Sequence, residues 1–188
     1  MFENLLKKIA KGLDKKSIPY MIIGGQAVLL YGEPRLTKDI DITLGVDIDK
    51  LDELLDITKK IGLLPLPEDT KEFVEKTYVL PEIDTDTSIR IDFIFSQTSY
   101  EKQAIKRSNR INIKNVSVKF ASLEDIIIHK IFAGRPRDIE DVKFIIIKNP
   151  DFNRIYIEKW LKEFDNVSSE KKLTIIFNDI LKKKNLFL

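Results

Sequence analysis

Three aspartates of this sequence have the residue type and spacing of a metal-binding group. Asp39 and Asp41 are two residues apart in a run of alternating acids and isoleucines, and Asp92 lies in a second apolar run. Successive side chains of a β-strand point to opposite faces, so Asp39 and Asp41 share one face while isoleucines fill the other. Two like charges on one face need a cation close by.

The expected cation is Mg²⁺ or Mn²⁺. Cα atoms two residues apart on a strand are separated by about 6.5–7 Å, so their carboxylates can converge on ions about 3.5–4 Å apart. Mg²⁺ prefers oxygen ligands and usually combines a few carboxylates with substrate phosphates. The chain has no cysteine and one histidine, His129, which argues against a structural zinc site and against disulfides.

A glycine pair precedes the acids. Gly24 and Gly25 follow the apolar run 20–23 and come directly before a helix-compatible stretch, residues 26–31. A strand, a glycine turn and a helix start bring backbone N–H groups together, and such a terminus favours phosphate oxygens. A phosphate site and metal-binding carboxylates are therefore predicted side by side.

Each motif also has a purely structural interpretation. A glycine pair is often a tight turn, and strand aspartates can be solvent-facing acids paired with Arg90 or Lys119 across the sheet. The combination with a third acid, Asp92, on a separate apolar strand favours the phosphate and metal site.

Length and composition predict one compact domain, residues 1–188. The hydrophobic fraction of 43% and the charged fraction of 33% are those of an ordinary soluble protein. A net charge of +2 does not by itself select a nucleic acid as partner. Because no apolar run approaches the roughly 20 residues of a membrane span, we expect a cytoplasmic protein with no membrane partner.

The predicted architecture is α/β, with a mixed core at about residues 18–120 and a helical part at about 121–188. The first segment has the apolar spacing of a helix that packs on the core, with a membrane-surface anchor as the alternative. A strand is expected near residues 73–80, a polar turn at 81–87, and further strands at 88–95 and 116–120. Ser122 is the expected N-cap of a later helix, and Asp138 is either the N-cap of the next one or a site residue.

These motifs together resemble the nucleotidyltransferase superfamily typified by DNA polymerase beta. The resemblance rests on the glycine pair, a spacer with Arg35 and Thr37, the D-x-D strand and the later Asp92. Downstream, the segment around Lys130 looks like the helical segment of AbiEii-type toxin nucleotidyltransferases. The matching residues there are Ser122, Leu123, Glu124, Asp125, Lys130, Ala133, Gly134, Arg135, Arg137, Asp138, Asp141 and Val142.

The resemblance implies a fold and a set of roles. The fold is a mixed β-sheet flanked by helices, with helices at the C-terminus. The catalytic residues are the metal ligands Asp39 and Asp41, with Asp92 as a third metal ligand or as a base. The nucleotide-binding residues are Gly24, Gly25, Arg35, Thr37 and Lys130.

The expected activity is transfer of a nucleoside monophosphate from an NTP to a hydroxyl. A toxin or defence role with tRNA or a protein as acceptor, and an antitoxin as partner, is implied by the resemblance. Antibiotic O-nucleotidyltransferases share a similar opening motif and are the first alternative. A non-catalytic nucleotide- or RNA-binding module is the second.

Overall fold

The computed structural model describes residues 2–34, 36–96, 98–167 and 172–184. The helices are α1 (Phe2–Lys15), α2 (Gly24–Tyr31), α3 (Leu51–Lys60), α4 (Thr70–Thr77), α5 (Ser99–Lys106), α6 (Leu123–Ala133), α7 (Pro136–Lys148), α8 (Arg154–Val167) and α9 (Leu173–Lys184). The strands are β1 (Tyr20–Ile23), β2 (Asp39–Leu44), β3 (Leu63–Pro65), β4 (Val79–Asp84), β5 (Arg90–Phe95), β6 (Asn109–Ile113) and β7 (Val116–Phe120).

The strands form one mixed sheet in the order β3-β4-β5-β2-β1-β7-β6. Two neighbouring pairs, β2 with β5 and β1 with β7, are parallel, and the other four are antiparallel. The predicted α/β class, with a mixed sheet flanked by helices and helices at the C-terminal end, is confirmed.

The chain forms two compact units. The first contains residues 1–26 and 36–121 and holds the whole sheet, and the second contains residues 27–35 and 122–188 and is helical. The expectation that residues 1–188 act as a single domain stays a prediction.

The core of the first unit follows from strand alternation. Ile40, Ile42 and Leu44 of β2 are fully buried, and Ile91 and Phe93 of β5 are buried beside them. Helix α1 contacts β7 and buries the apolar face predicted for it. The prediction that the first segment is a helix packed on the core is thus confirmed.

The second unit has well-defined helix ends. The Ser122 side chain accepts a hydrogen bond from the Asp125 backbone N–H, and Gly134 ends α6 in the left-handed conformation, as predicted. The expectation that Asp138 is an N-cap is wrong. Arg135 is the N-cap residue of α7, and Pro136 occupies the first helical position, where its missing N–H costs nothing.

The strand predicted at residues 73–80 is also wrong. Residues Thr70–Thr77 form α4, because Asp69 caps it by accepting a hydrogen bond from the Glu72 N–H. Tyr78 then turns the chain with a φ of +58°, and β4 continues through most of the predicted polar turn. The predicted strand thus joins the second half of a capped, largely polar helix to the first residues of β4.

Three elements have no counterpart in the sequence prediction: β3, α5 and β6. Helix α5 begins with a capping box in which Thr98 and Glu101 bond each other's backbone. Strand β6 pairs with β7 as an antiparallel hairpin. No helix in the described part of the chain is long and apolar enough to cross a membrane.

Glu82 of β4 is a buried acid in the first unit, and it predicts a pH-dependent stability. Its side chain is fully buried, and Thr58 Oγ1 donates a hydrogen bond to Oε1 at 2.9 Å. Oε2 has no hydrogen-bond partner among the described residues. Burial raises the pKa of Glu82 to about 7, against a lowering by the Thr58 hydrogen bond.

The folded protein therefore keeps a proton on Glu82 that the unfolded chain loses near pH 4.5. The free energy of unfolding should therefore fall by about 3 kcal/mol as the pH rises from about 4.5 to about 7, and it should level off at higher pH. Urea unfolding between pH 4.5 and 8 measures the effect. Glu82→Gln should lose this part of the pH dependence and be more stable than the wild type at pH 8. The control Glu68→Gln, at an exposed site, should keep the pH dependence of the wild type. The same pH dependence of the free energy of unfolding in both variants would refute the prediction.

Candidate functional site

The parallel pairing of β2 with β5 brings the predicted acids together. Asp41 is the register partner of Asp92, and Asp39 is the partner of Arg90. Paired residues on parallel strands face the same side at a strand spacing of about 4.8 Å. The carboxylates of Asp39, Asp41 and Asp92 therefore lie on one face, and all three are half-buried.

Gly24 packs directly against the carboxylate of Asp41. A Cβ at position 24 would lie 1.8 Å from Asp41 Oδ2, and the backbone there has a φ of +62°. Only glycine combines this conformation with this approach at low cost. Gly24 is also the first residue of α2, so Asp41 lies at a helix N-terminus, where backbone N–H groups favour negative charge.

The other predicted residues near the acids are placed as follows. Thr37 is buried, and its hydroxyl donates to Asp39 Oδ1 at 3.2 Å. Gly25 is buried in the first turn of α2. Arg35 lies outside the described residues. The structure gives Thr37 a defined task, which is to orient the Asp39 carboxylate.

Arg90 supplies the positive charge next to the acids. Its Nε donates to Asp92 Oδ1 at 2.9 Å, and the carboxylate side chain is 19% exposed. The hydrogen bond to Asp92 raises the pKa of Arg90, and the charges of Asp92, Asp39 and Asp41 add to the rise. Of the two cations considered for pairing across the sheet, Arg90 bonds Asp92, whereas Lys119 bonds Asp14 at 2.8 Å.

The donor set suits a divalent ion bound together with a substrate. In the described part of the chain, no three acidic or histidine side chains converge closely enough to hold a metal by themselves. Mg²⁺ is usually bound by one or two carboxylates plus substrate phosphates rather than by an all-protein cage. Asp39 and Asp41, next to a helix N-terminus, match that arrangement in ligand type and in placement. The predicted ligand roles of the three acids stay predictions.

Gln26 is a candidate that the sequence prediction missed. It follows Gly25 in α2, it is 8% exposed, and its Nε2 has no hydrogen-bond partner among the described residues. A buried amide donor without a partner is costly unless something satisfies it. No sequence motif marks this residue, since burial of a single glutamine is visible only in three dimensions.

Lys130 lies in a buried ion-pair cluster of the second unit. Its Nζ is 2.6 Å from Asp138 Oδ1 and 2.9 Å from Asp141 Oδ2, and Arg135 Nε is 2.7 Å from Asp138 Oδ2. Burial alone would raise the pKa of Asp138, but the hydrogen bonds and charges of Lys130 and Arg135 hold it below its usual value. The predicted contact of Lys130 with phosphate stays a prediction.

Solved structures of similar fold are nucleotidyltransferase-like. An antigenic nucleotidyltransferase-like protein from Paracoccidioides brasiliensis has a TM-score of 0.56 and 19% identity, over 77% of this chain and 74% of that one. A protein from H. pylori assigned as a nucleotidyltransferase has a TM-score of 0.51 and 20% identity, over 99% and 96%. The enzyme ANT(2'')-Ia, solved with adenylyl-2''-tobramycin, has a TM-score of 0.51 and 19% identity, over 96% and 97%. At these identities the likeness shows the fold.

The sequence comparisons are more specific. The model of a family described as "Nucleotidyltransferase of unknown function (DUF6036)" matches residues 1–184. No curated protein matches the chain.

The contact between Gly24 and Asp41 predicts a specific cost for Gly24→Ala. Alanine in the left-handed region costs about 1 kcal/mol at either Gly24 or Gly62, which has a φ of +87°. A Cβ at Gly62 would meet nothing closer than 3.6 Å, whereas one at Gly24 displaces the Asp41 carboxylate. Urea unfolding should therefore show a larger loss for Gly24→Ala than for Gly62→Ala, by about 1–3 kcal/mol.

The double variant Gly24→Ala with Asp41→Ala should recover most of this excess loss, because it removes the displaced group. Equal losses at the two glycines, or no recovery in the double variant, would contradict the packing of Gly24 on Asp41.

The Lys130 cluster predicts a large effect for Lys130→Met. The substitution leaves Asp141 and one oxygen of Asp138 buried without their ammonium, and removing one partner of a buried pair costs about 3–5 kcal/mol. Lys162→Met, on the exposed part of α8, should change stability by less than about 0.5 kcal/mol. Thermal or urea unfolding of both variants measures the difference. A Lys130→Met variant as stable as the wild type would contradict this prediction and show that folding does not need the ammonium. The predicted contact of Lys130 with phosphate would then remain as its role.

Proposed function

We propose that this chain, which belongs to this family of nucleotidyltransferases, transfers a nucleoside monophosphate from an NTP to a hydroxyl acceptor. In this reaction the acceptor oxygen forms a bond to the α-phosphorus of the NTP. The bond from that phosphorus to the bridging oxygen breaks, and pyrophosphate leaves. The hydroxyl proton passes to a base.

One observation carries the proposal: Asp41 is the register partner of Asp92 and also packs against Gly24 at the start of α2. Two carboxylates and a helix N-terminus thereby lie within one small region of the sheet. A carboxylate group next to a phosphate-binding terminus is what a phosphoryl-group transfer needs, since both metal and phosphate must be held.

Asp39, Asp41 and Asp92 are the proposed ligands of Mg²⁺ or Mn²⁺. Bound divalent ions would activate the attacking hydroxyl and neutralise charge that develops on the departing pyrophosphate. Thr37 keeps the Asp39 carboxylate oriented by its hydrogen bond, and Arg90 does the same for Asp92. Asp92 is also the proposed acceptor of the hydroxyl proton.

The start of α2 is the proposed phosphate site. Backbone N–H groups at Gly24 and Gly25 have no intrahelical partners, because the first four amides of any helix lack them. The buried amide of Gln26, which follows Gly25 in α2, is a further proposed donor. Arg35 and Lys130 are the proposed cationic nucleotide-binding residues.

The proposed acceptor is a macromolecule, tRNA or a protein, in keeping with the AbiEii-like residues around Lys130. A toxin or defence role, with an antitoxin as partner, belongs to the same proposal. The likeness of fold to ANT(2'')-Ia supports one alternative, an antibiotic O-nucleotidyltransferase. A non-catalytic nucleotide- or RNA-binding module is the other alternative, and it would not require three carboxylates on one face.

The decisive experiment compares Asp41→Asn with Asp86→Asn in a transfer assay. Each radiolabelled NTP is incubated with the protein, Mg²⁺ and, in separate reactions, total RNA, total protein or an aminoglycoside, and both pyrophosphate release and label transfer are measured. Asp41→Asn should reduce transfer by at least about a hundredfold, which corresponds to about 2.7 kcal/mol of transition-state stabilisation. Asp86 is an exposed aspartate of the same unit, so Asp86→Asn should keep full activity.

The outcomes separate the candidate functions. Label on RNA or protein that is lost in Asp41→Asn supports the proposal. Label on an aminoglycoside or another cationic small molecule alone would identify an antibiotic-modifying enzyme. Nucleotide binding without pyrophosphate release, equal in the wild type and Asp41→Asn, would identify a binding module.

A further inference from the structure

The segment that contains α5 and the β6–β7 hairpin is strongly basic. Residues 99–120 include six lysines and arginines and a single acid, Glu101, although the whole chain has a net charge of only +2. The rest of the chain is therefore net acidic. We call this segment the basic hairpin surface, and its cations are Lys102, Lys106, Arg107, Arg110, Lys114 and Lys119.

Two of these cations face each other across the hairpin. Arg110 is the register partner of Lys119 in the antiparallel pairing of β6 with β7. Like charges directly opposite each other destabilise a hairpin. Asp14 compensates Lys119 at 2.8 Å, but Arg110 is exposed and has no ion-pair partner among the residues that the structure describes. No ion pair with a described residue thus accounts for the arginine at position 110.

The hairpin tip also departs from what folding prefers. Lys114 and Asn115 both have positive φ, at +47° and +67°. Turns of this kind favour glycine, asparagine or aspartate at both central positions, and a lysine there is strained. Lys114 pairs with Glu3 at 3.2 Å, but both side chains are more than half exposed, so the pair stabilises the fold little. The tip therefore holds a lysine at a cost to stability.

The remaining surface of the segment is polar. Asn109 and Asn112 of β6 are exposed, and no described residue of 99–120 is an exposed large hydrophobic. Amide side chains together with arginine and lysine are the groups that bind phosphate and sugar oxygens of nucleic acids. A surface that docks on a lipid bilayer by insertion needs large exposed apolar side chains, and no described residue of this segment provides one.

From these observations we infer that the basic hairpin surface binds the phosphodiester backbone of RNA. Strand β6 is at the edge of the sheet, three strand spacings from β2, or about 14 Å from the strand that carries Asp41. RNA bound along β6 would thus lie on the same sheet as the proposed site. That this RNA is the acceptor rests on the proposed function, whereas the binding itself does not.

The test is a salt titration of RNA binding in the absence of nucleotide and divalent metal. Fluorescence anisotropy of a labelled RNA stem-loop is measured between about 50 and 200 mM salt, the range in which counterion release is steep. The test variant combines Lys102→Gln, Arg110→Gln and Lys114→Gly. If these cations contact phosphates, the slope of log K against log salt should fall in magnitude by about two to three. Binding at the lowest salt should weaken in parallel.

A matched control removes the same charge elsewhere in the first unit. Lys59, Lys60 and Lys71 are exposed, and their combined change to glutamine should leave the slope unchanged. Equal losses in the two triple variants, or no RNA binding by the wild type, would overturn the inference. So would preferential binding to phosphatidylserine vesicles that is lost in the test variant.

Lys114→Gly separates binding from folding. Glycine relieves the left-handed strain, so the thermal midpoint should stay the same or rise while RNA binding weakens. A lower midpoint would mean that Lys114 serves the fold, which would contradict the inference.

Asp41→Asn separates this inference from the proposed function. It should abolish transfer and keep the RNA affinity and salt slope of the wild type. If the wild type transfers the nucleotide but does not bind RNA, the proposed function stands and the inference is overturned. If it binds RNA but shows no transfer, the inference stands and the proposed function is overturned.

Discussion

The parallel register of β2 and β5 is the constraint on which the candidate site depends. It makes Asp41 the partner of Asp92 and Ile40 the partner of Ile91, so one alignment sets both the acidic face and the buried face. A slip of one residue would turn the isoleucines of β2 outward and the acids inward. The apolar core therefore enforces the register that brings the carboxylates together.

The protein handles its buried and half-buried charges in two ways. Around Asp92, the guanidinium of Arg90 is more than half exposed, so the acids stay accessible on one side. Around Lys130, an ammonium and two carboxylates are all almost fully buried, and their mutual pairing offsets the cost of removing them from water. The first arrangement leaves the acids open to solvent on one side, and the second joins α6 to α7 by ion pairs.

The sequence predicted the parts of the structure that local patterns determine. Alternation in β2 and β5, the Ser122 cap and the Gly134 helix end follow from residue type and spacing. It failed at α4, where the Asp69 cap starts a largely polar helix, and at α7, where Arg135 is the N-cap residue and Pro136 the first helical residue, so that Asp138 lies inside the helix. The contact of Gly24 with Asp41, the burial of Gln26 and the raised pKa of Glu82 depend on tertiary packing, which no local pattern encodes.

The path of the chain between the two units restricts how the protein can be divided. Residues 27–35 leave the sheet-containing unit to join the helical one, where Gly32 packs near Ile145 and Asn149 bonds the Tyr31 carbonyl. A fragment that stops at residue 121 would carry this stretch without those neighbours and would expose Val28, which is otherwise fully buried. A gene fusion or recombination event with a boundary near residue 121 would therefore separate residues 27–35 from the helices they pack on, and a functional transfer would have to include both units.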